Sequence, residues 1–246
     1  MISGPDGLAD RLRANRERVL SRVAAAALRA GRDPGGVTLV AVTKSVPAAV
    51  ARVLAEATGA RDFGENRVAA GLEKKEALAS VSPPVRWHLI GHLQTNKARR
   101  AVETFDVIHS VDSLHLAAAI GRAASAAGRI VNLFVQVNVS GESTKSGFEP
   151  GALPGALRAI RDEGGVHVLG LMTMAPFSED PEAARPVFRA LRELAAAAEA
   201  SGGAERLALS MGMSQDFEIA VEEGATHLRV GTALFDGIDS ERLPAG

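Results

Sequence analysis

The sequence predicts an α/β fold, a single (β/α)8 TIM-type barrel preceded by one extra helix. Eight short strand-like segments alternate with helical patterns along 246 residues, a length suited to one barrel domain. The first run, Val37-Thr-Leu-Val-Ala-Val-Thr-Lys44, is apolar at successive rather than alternate positions, the pattern of a strand covered on both faces. No Pro/Ser-rich linker or composition shift divides the chain, so one domain spans 1–246, with a helix at 7–30 and the barrel at 37–235. A doubly wound open sheet is the main competitor, but no Gly-x-Gly-x-x-Gly fingerprint follows the first strand.

The opening helix carries Leu8, Leu12, Val19, Val23 and Leu28 against an arginine-rich face, and Gly31 stops it. Strands are expected at 38–43, 60–63, 86–90, 106–110, 133–138, 168–174, 206–210 and 227–230. Helices fall between them at 47–57, 68–78, 96–104, 113–127, 150–163, 180–201 and 215–223, with a short closing helix after Thr232. Ser113 caps the fourth of these helices, Gly128 ends it, and Gly202-Gly203 follow the sixth.

Lys+Arg 28 against Asp+Glu 29 gives a net charge of −1, which offers no reason to expect nucleic acid or a membrane surface as partner. The absence of cysteine excludes disulfides, thiolate nucleophiles and cysteine-ligated zinc, and suits a reducing cytoplasm. The N-terminus lacks a signal-peptide core, and no stretch approaches the roughly 20 apolar residues of a membrane span. No His/Asp/Glu spacing resembles a metal site. A cytoplasmic, monomeric protein is expected.

In a barrel the chemistry collects where strands end at their carboxyl rim. Lys44 ends the first strand, in a chain with 23 arginines and five lysines. A buried lysine loses its proton readily because desolvation disfavours the ammonium, and the free amine attacks carbonyls. The plain alternative is a strand-end lysine that reaches solvent. The same rim collects Glu65-Asn66-Arg67, His92, Gln94, Asn96, Asn138, Ser140 and Met174. Ser210-Met-Gly-Met-Ser214 and Gly231-Thr232 follow strands seven and eight, where barrels favour phosphate. Turn and cap chemistry accounts for the same residues. A lysine amine beside a phosphate cradle suggests pyridoxal 5′-phosphate. Arg229 then either faces the pyridine nitrogen, disfavouring its protonation, or forms a rim salt bridge.

The runs Leu39-Val-Ala-Val-Thr-Lys44, Phe63-Gly-Glu-Asn-Arg67, Trp87-His-Leu-Ile-Gly-His-Leu-Gln-Thr-Asn-Lys97, Ser140-Gly-Glu-Ser-Thr-Lys-Ser-Gly147, Gly170-Leu-Met-Thr-Met174, Leu209-Ser-Met-Gly-Met-Ser214 and His227-Leu-Arg-Val-Gly-Thr232 strongly resemble the pyridoxal phosphate homeostasis protein family. The resemblance implies a barrel like the N-terminal domain of alanine racemase, holding pyridoxal phosphate as an internal aldimine with little or no turnover, in the cell's handling of that cofactor. By motif position it implies that Lys44 forms the aldimine and Asn66 lies beside the ring. Ser210, Met211, Gly231 and Thr232 would hold the phosphate, with Ser214 as a further contact, and Arg229 would face the pyridine nitrogen. The tail Leu234-Phe-Asp-Gly237 departs mildly from the pattern. PLP-dependent apo-enzymes are the partners such a carrier would serve.

Alanine racemase resembles this barrel but takes its opposing base, a tyrosine, from a second domain, whereas this chain has no tyrosine. A racemase or lyase would need another base, His92 or Lys97 being the candidates, within hydrogen-bond reach of substrate. A type I aldolase using Lys44 directly on a sugar phosphate is the remaining rival. Trp87 and His88 read as packing residues, His109 as lining the barrel, and His115 and His167 as surface or strand-edge residues. The 140–147 loop reads as a mobile lid or partner surface, and Asn96-Lys-Ala-Arg-Arg100 as a solvated helix face.

Overall fold

In the computed structural model, which describes residues 5–142, 146–203 and 206–238, eight parallel strands close into a barrel in chain order. The strands are β1 (Thr38–Val42), β2 (Asp62–Glu65), β3 (Arg86–Leu89), β4 (Val107–Val111), β5 (Val131–Gln136), β6 (Val166–Met172), β7 (Ala208–Ser210) and β8 (His227–Val230). The helices are α1 (Pro5–Arg29), α2 (Ala48–Thr58), α3 (Val68–Ala77), α4 (Ala98–Thr104), α5 (Leu114–Ala126), α6 (Leu153–Arg161), α7 (Arg185–Ala198) and α8 (Phe217–Glu222). β1 pairs with β8 through the register Val40↔Arg229, which brings the first and last rim loops together. Arg229 therefore shares the barrel end with Lys44.

Strand residues divide between two apolar clusters, as the pleat requires. Phe63, Trp87, Leu89, Ile108, Leu133 and Leu171 join the large cluster beneath the helices. Val107, Phe134 and Met172, with Leu169 and Ala208, form a small one of their own. A register shift between Leu133 and Phe134 pairs Phe134 with Gly170, and the irregularity lets Leu169 and Met172 join the same cluster. Gly170 is obligatory there, since a Cβ would lie 1.8 Å from the Ala208 carbonyl oxygen.

Several boundaries differ from the sequence expectation. Leu28 is 68 % exposed, and Ala26 and Ala27 take its place in the α1 core face because the 3.6-residue period running through Val19 and Val23 reaches them and not Leu28. The third barrel helix opens with a 3-10 turn at Thr95–Lys97. β7 has three residues rather than five, because the Leu207 N–H is taken by the Glu199 carboxylate at 2.7 Å instead of a strand. A π turn, Glu199–Gly203, carries the two glycines after α7. The closing segment is a turn rather than a helix, and Asn15 of α1 clasps it by donating to the carbonyls of Leu234 and Asp236 at 3.0 and 2.9 Å. Residues 143–145 of the proposed lid lie outside the described residues.

Candidate functional site

A cavity of about 630 Å³ opens at the carboxyl end of the barrel, within the range of cofactor pockets. It is lined by Lys44 and Ser45 after β1, Asn66 after β2, Ile90 to His92 after β3, Gln136 of β5, Met174 after β6, Met213 to Gln215 after β7, and Arg229, Gly231 and Thr232 at β8. Ser146 joins them from the loop after β5.

Lys44 follows directly on β1, where the Thr43 N–H still bonds to the Gly64 carbonyl at 3.0 Å. Its side chain is exposed to the cavity, a correction to the buried lysine the strand pattern suggested. The strand ends at Val42, so only Thr43 keeps the two-sided cover. Thr43 is anchored from below by a buried ion pair. Lys74 of α3 places Nζ 2.6 Å from Oε1 of Glu65 and 2.6 Å from the Thr43 carbonyl. The Thr43 hydroxyl donates to the same carboxylate oxygen at 2.6 Å. The backbone that carries Lys44 is thus fixed by α3 and β2 together.

On the opposite side, the loops after β7 and β8 converge. Gly212 has φ +92°, and a Cβ there would lie 2.5 Å from that of Ala220, so only glycine fits this turn. Asp216 accepts from the Met213 N–H at 2.6 Å and holds the turn closed. The N–H groups of Gly231 and Ala233 both aim at the Ser214 hydroxyl oxygen, each at 3.3 Å. Two backbone donors pointing at one acceptor form the kind of concavity that attracts an anion. Gly231 also lies against β1, where a Cβ would meet the Val42 carbonyl at 3.1 Å.

Arg229 forms part of the cavity floor. Its guanidinium donates to the Ser210 hydroxyl at 2.6 Å and to the Thr173 carbonyl at 2.9 Å, so its position is fixed. Burial lowers its pKa to about 10, partly opposed by Asp216, and it remains cationic at neutral pH.

Residues 14–238 match the alanine racemase N-terminal domain family. A pyridoxal phosphate homeostasis protein of Aquifex aeolicus is 43 % identical over 218 residues, covering 89 % of this chain and 94 % of that one. One from Pseudomonas aeruginosa is 42 % identical over 225 residues, covering 92 % and 95 %. The chain belongs to the pyridoxal phosphate homeostasis protein family. The solved structure of PipY from Synechococcus elongatus, with PLP bound, is similar at 41 % identity and a TM-score of 0.76, covering 88 % of this chain and 99 % of that one.

Against this family background, six of the eight residues singled out in the sequence line the cavity of this homeostasis-family chain: Lys44, Asn66, Ser214, Arg229, Gly231 and Thr232. Ser210 and Met211 do not. Ser210 is wholly buried, its hydroxyl engaged by Arg229 and His109, and the Met211 N–H is taken by the His227 carbonyl at 3.2 Å. Both support the floor rather than lining the space. His92 lines the cavity and approaches Asp112 at 3.3 Å, while Lys97 lies on the 3-10 turn and does not line it. Sequence reading missed Gln136 and took in Met213 only as part of the Ser210-Met-Gly-Met-Ser214 run. Gln136 is a polar residue closing β5 after the apolar stretch Leu133-Phe-Val135, which was a usable signal, and its amide donates to the Ser146 carbonyl at 2.8 Å.

It also missed that His88, His109 and His227 gather within the barrel, their ring centroids 5.2 to 6.4 Å apart. Burial, reinforced by neighbouring His88, lowers His227 to about 4, and burial lowers His88 and His109 as well. The unfolded chain therefore binds more protons than the folded one at mildly acidic pH. Stability from these groups is present above the unfolded value near 6.5 and is lost as pH falls from there toward 4. Denaturant unfolding at pH 7 and pH 4 is expected to differ by roughly 2–3 kcal/mol through His227 alone. A flat profile across that window would contradict the buried neutral histidines.

Proposed function

We propose that this chain binds pyridoxal 5′-phosphate in the cavity at the carboxyl end of the barrel, joined covalently to Nζ of Lys44, and acts as a carrier or regulator of that cofactor rather than a high-turnover enzyme. The observation that carries this reading is that one cavity brings together an exposed amine, a fixed guanidinium and a pair of converging backbone N–H groups. These donors match an aldehyde, a pyridine nitrogen and a phosphate respectively. The buried guanidinium and the glycines at 212 and 231, where a Cβ would crowd its neighbours, are hard to explain in an ordinary rim loop.

When bound, the cofactor supplies an electrophilic carbon conjugated to an electron-withdrawing ring. Lys44 would hold that carbon, Ser214, Gly231 and Thr232 the phosphate, and Asn66 the edge of the ring. Arg229 would face the ring nitrogen with a charge that disfavours its protonation, which weakens the ring as an electron sink. That choice suits storage better than carbanion chemistry. Among the described residues, His92 is the other titratable side chain lining the cavity, and it is 62 % exposed in the side chain and tied to Asp112. A two-base racemase would have to use that histidine opposite Lys44, because the chain has no tyrosine. In this reading the chain works as one domain, a cytoplasmic monomer that serves PLP-dependent apo-enzymes. Among the described residues no helix is long and apolar enough to cross a membrane.

Titrating the protein with pyridoxal phosphate and with phosphate-free pyridoxal tests this. A saturable visible band is expected with the first, and binding about 100-fold weaker with the second, from two lost charge-assisted hydrogen bonds. No band, or equal affinity for both, would contradict it.

A further inference from the structure

Five polar side chains inside the barrel stand in single file. Arg229 donates to Oγ of Ser210 at 2.6 Å. That oxygen is 2.7 Å from Nδ1 of His109, whose Nε2 is 2.9 Å from Nδ1 of His88. Nε2 of His88 is 2.9 Å from Oδ1 of Asp62, which also accepts from the exposed Arg86 at 2.6 Å. Four hydrogen bonds therefore run from the cavity floor to the start of β2, near the amino end of the barrel. Ser210, His109, His88 and Arg229 are all buried, and His109 stacks on Phe134 with ring centroids 4.4 Å apart.

The direction of the file is fixed at its Asp62 end. A guanidinium has only donors and a carboxylate only acceptors. Burial would raise the Asp62 carboxyl, but hydrogen bonds from His88 and Arg86 outweigh it and hold it below its ordinary value. Asp62 therefore requires a proton on Nε2 of His88. Neutral His88 then accepts at Nδ1, which requires a proton on Nε2 of His109. His109 accepts at Nδ1 from the Ser210 hydroxyl, whose oxygen stays open to Arg229. The Arg229 end is compatible with this order, since the Ser210 oxygen accepts from the guanidinium while its hydroxyl donates to His109. Reversing one link would set two donors or two acceptors against each other in a dry interior. The charged and titratable groups around the file are Asp62, Arg86 and Asp106 beside His88, and His227 and Arg229 beside His109.

We propose that Asp62, His88, His109 and Ser210 form a directed hydrogen-bond relay that positions Arg229, linking a carboxylate near one end of the barrel to the cation facing the cavity at the other. Asp62, His88 and His109 are positioning residues, none of which lines the cavity. What Arg229 faces rests on the proposed function, whereas the relay belongs to the chain itself.

The test uses ¹⁵N-histidine NMR on the cofactor-free protein, then absorption after loading with pyridoxal phosphate. The expected result is that His88 and His109 carry their protons on Nε2 at neutral pH. Asp62→Ala is expected to scramble the His109 tautomer and shift the absorption maximum, while borohydride still fixes cofactor on Lys44. Asp62→Asn keeps an oxygen acceptor for His88 and restores the tautomer, which also guards against a variant that fails to fold. A wild-type His109 protonated on Nδ1, or an Asp62→Ala protein with an unchanged His109 signal, would overturn the relay. Failure of the wild type to take up cofactor would count against the proposed function alone, because the NMR arm decides the relay without it.

Discussion

Lys44→Ala abolishes the visible band of the cofactor-loaded protein and leaves nothing at that position for borohydride to fix. Among the described residues, no other lysine lines the cavity. Lys97 lies on a neighbouring turn, and Lys74 is buried beneath the floor with its ammonium committed to Glu65 and Thr43. Because Lys44 is exposed and makes no packing contribution to the core, its removal is expected to change stability by less than about 0.5 kcal/mol. The loops at Ser214 and Gly231-Thr232 remain intact, so pyridoxal phosphate still binds weakly and dialyses away. Absorption spectra with a parallel thermal melt separate the two effects. A folded Lys44→Ala protein that keeps its full band would place the linkage elsewhere.

Lys74→Met is the most destabilising substitution expected outside the apolar core. The ammonium and the Glu65 carboxylate are buried 2.6 Å apart, and Glu65 Oε2 has no hydrogen-bond partner. Removing the lysine leaves a buried carboxylate supported only by the Thr43 hydroxyl. Such half-broken pairs lose about 3–5 kcal/mol, whereas replacing both members with apolar groups is often neutral. The double substitution Lys74→Met with Glu65→Leu is therefore expected to recover most of the loss. Denaturant unfolding of the single and double variants measures this directly. A single variant within about 1 kcal/mol of wild type would show that the pair contributes little.

The barrel was legible because strand-like and helical segments alternate along the chain, and two-sided burial makes some strands, β1 above all, a near-continuous apolar run. Lys44 was legible as a rim residue because it stands just past such a run, whereas Arg229 lies inside β8 and was legible through its place beside Gly231-Thr232. Ser210 and Met211 were assigned to the cofactor by their place in the Ser210-Met-Gly-Met-Ser214 motif, and motif position does not say which way each side chain faces. The short β7 places the Ser210 side chain inside the barrel, where it holds Arg229 rather than lining the cavity. The Lys74–Glu65 pair could not be read at all, since nothing local to α3 shows that one of its lysines turns inward. The interior histidines lie near the starts of strands or in their middles, each beside at least one apolar neighbour, so none announces a polar partner when taken alone. Their connection exists only once the barrel closes and aligns His88, His109 and Ser210 across three strands.

The most direct measurement is peptide mapping by mass spectrometry after the wild-type protein is loaded with pyridoxal phosphate and reduced with borohydride. The account predicts one pyridoxyl phosphate group per chain, on the peptide containing Lys44. Label on another lysine, or an unmodified chain, would contradict it.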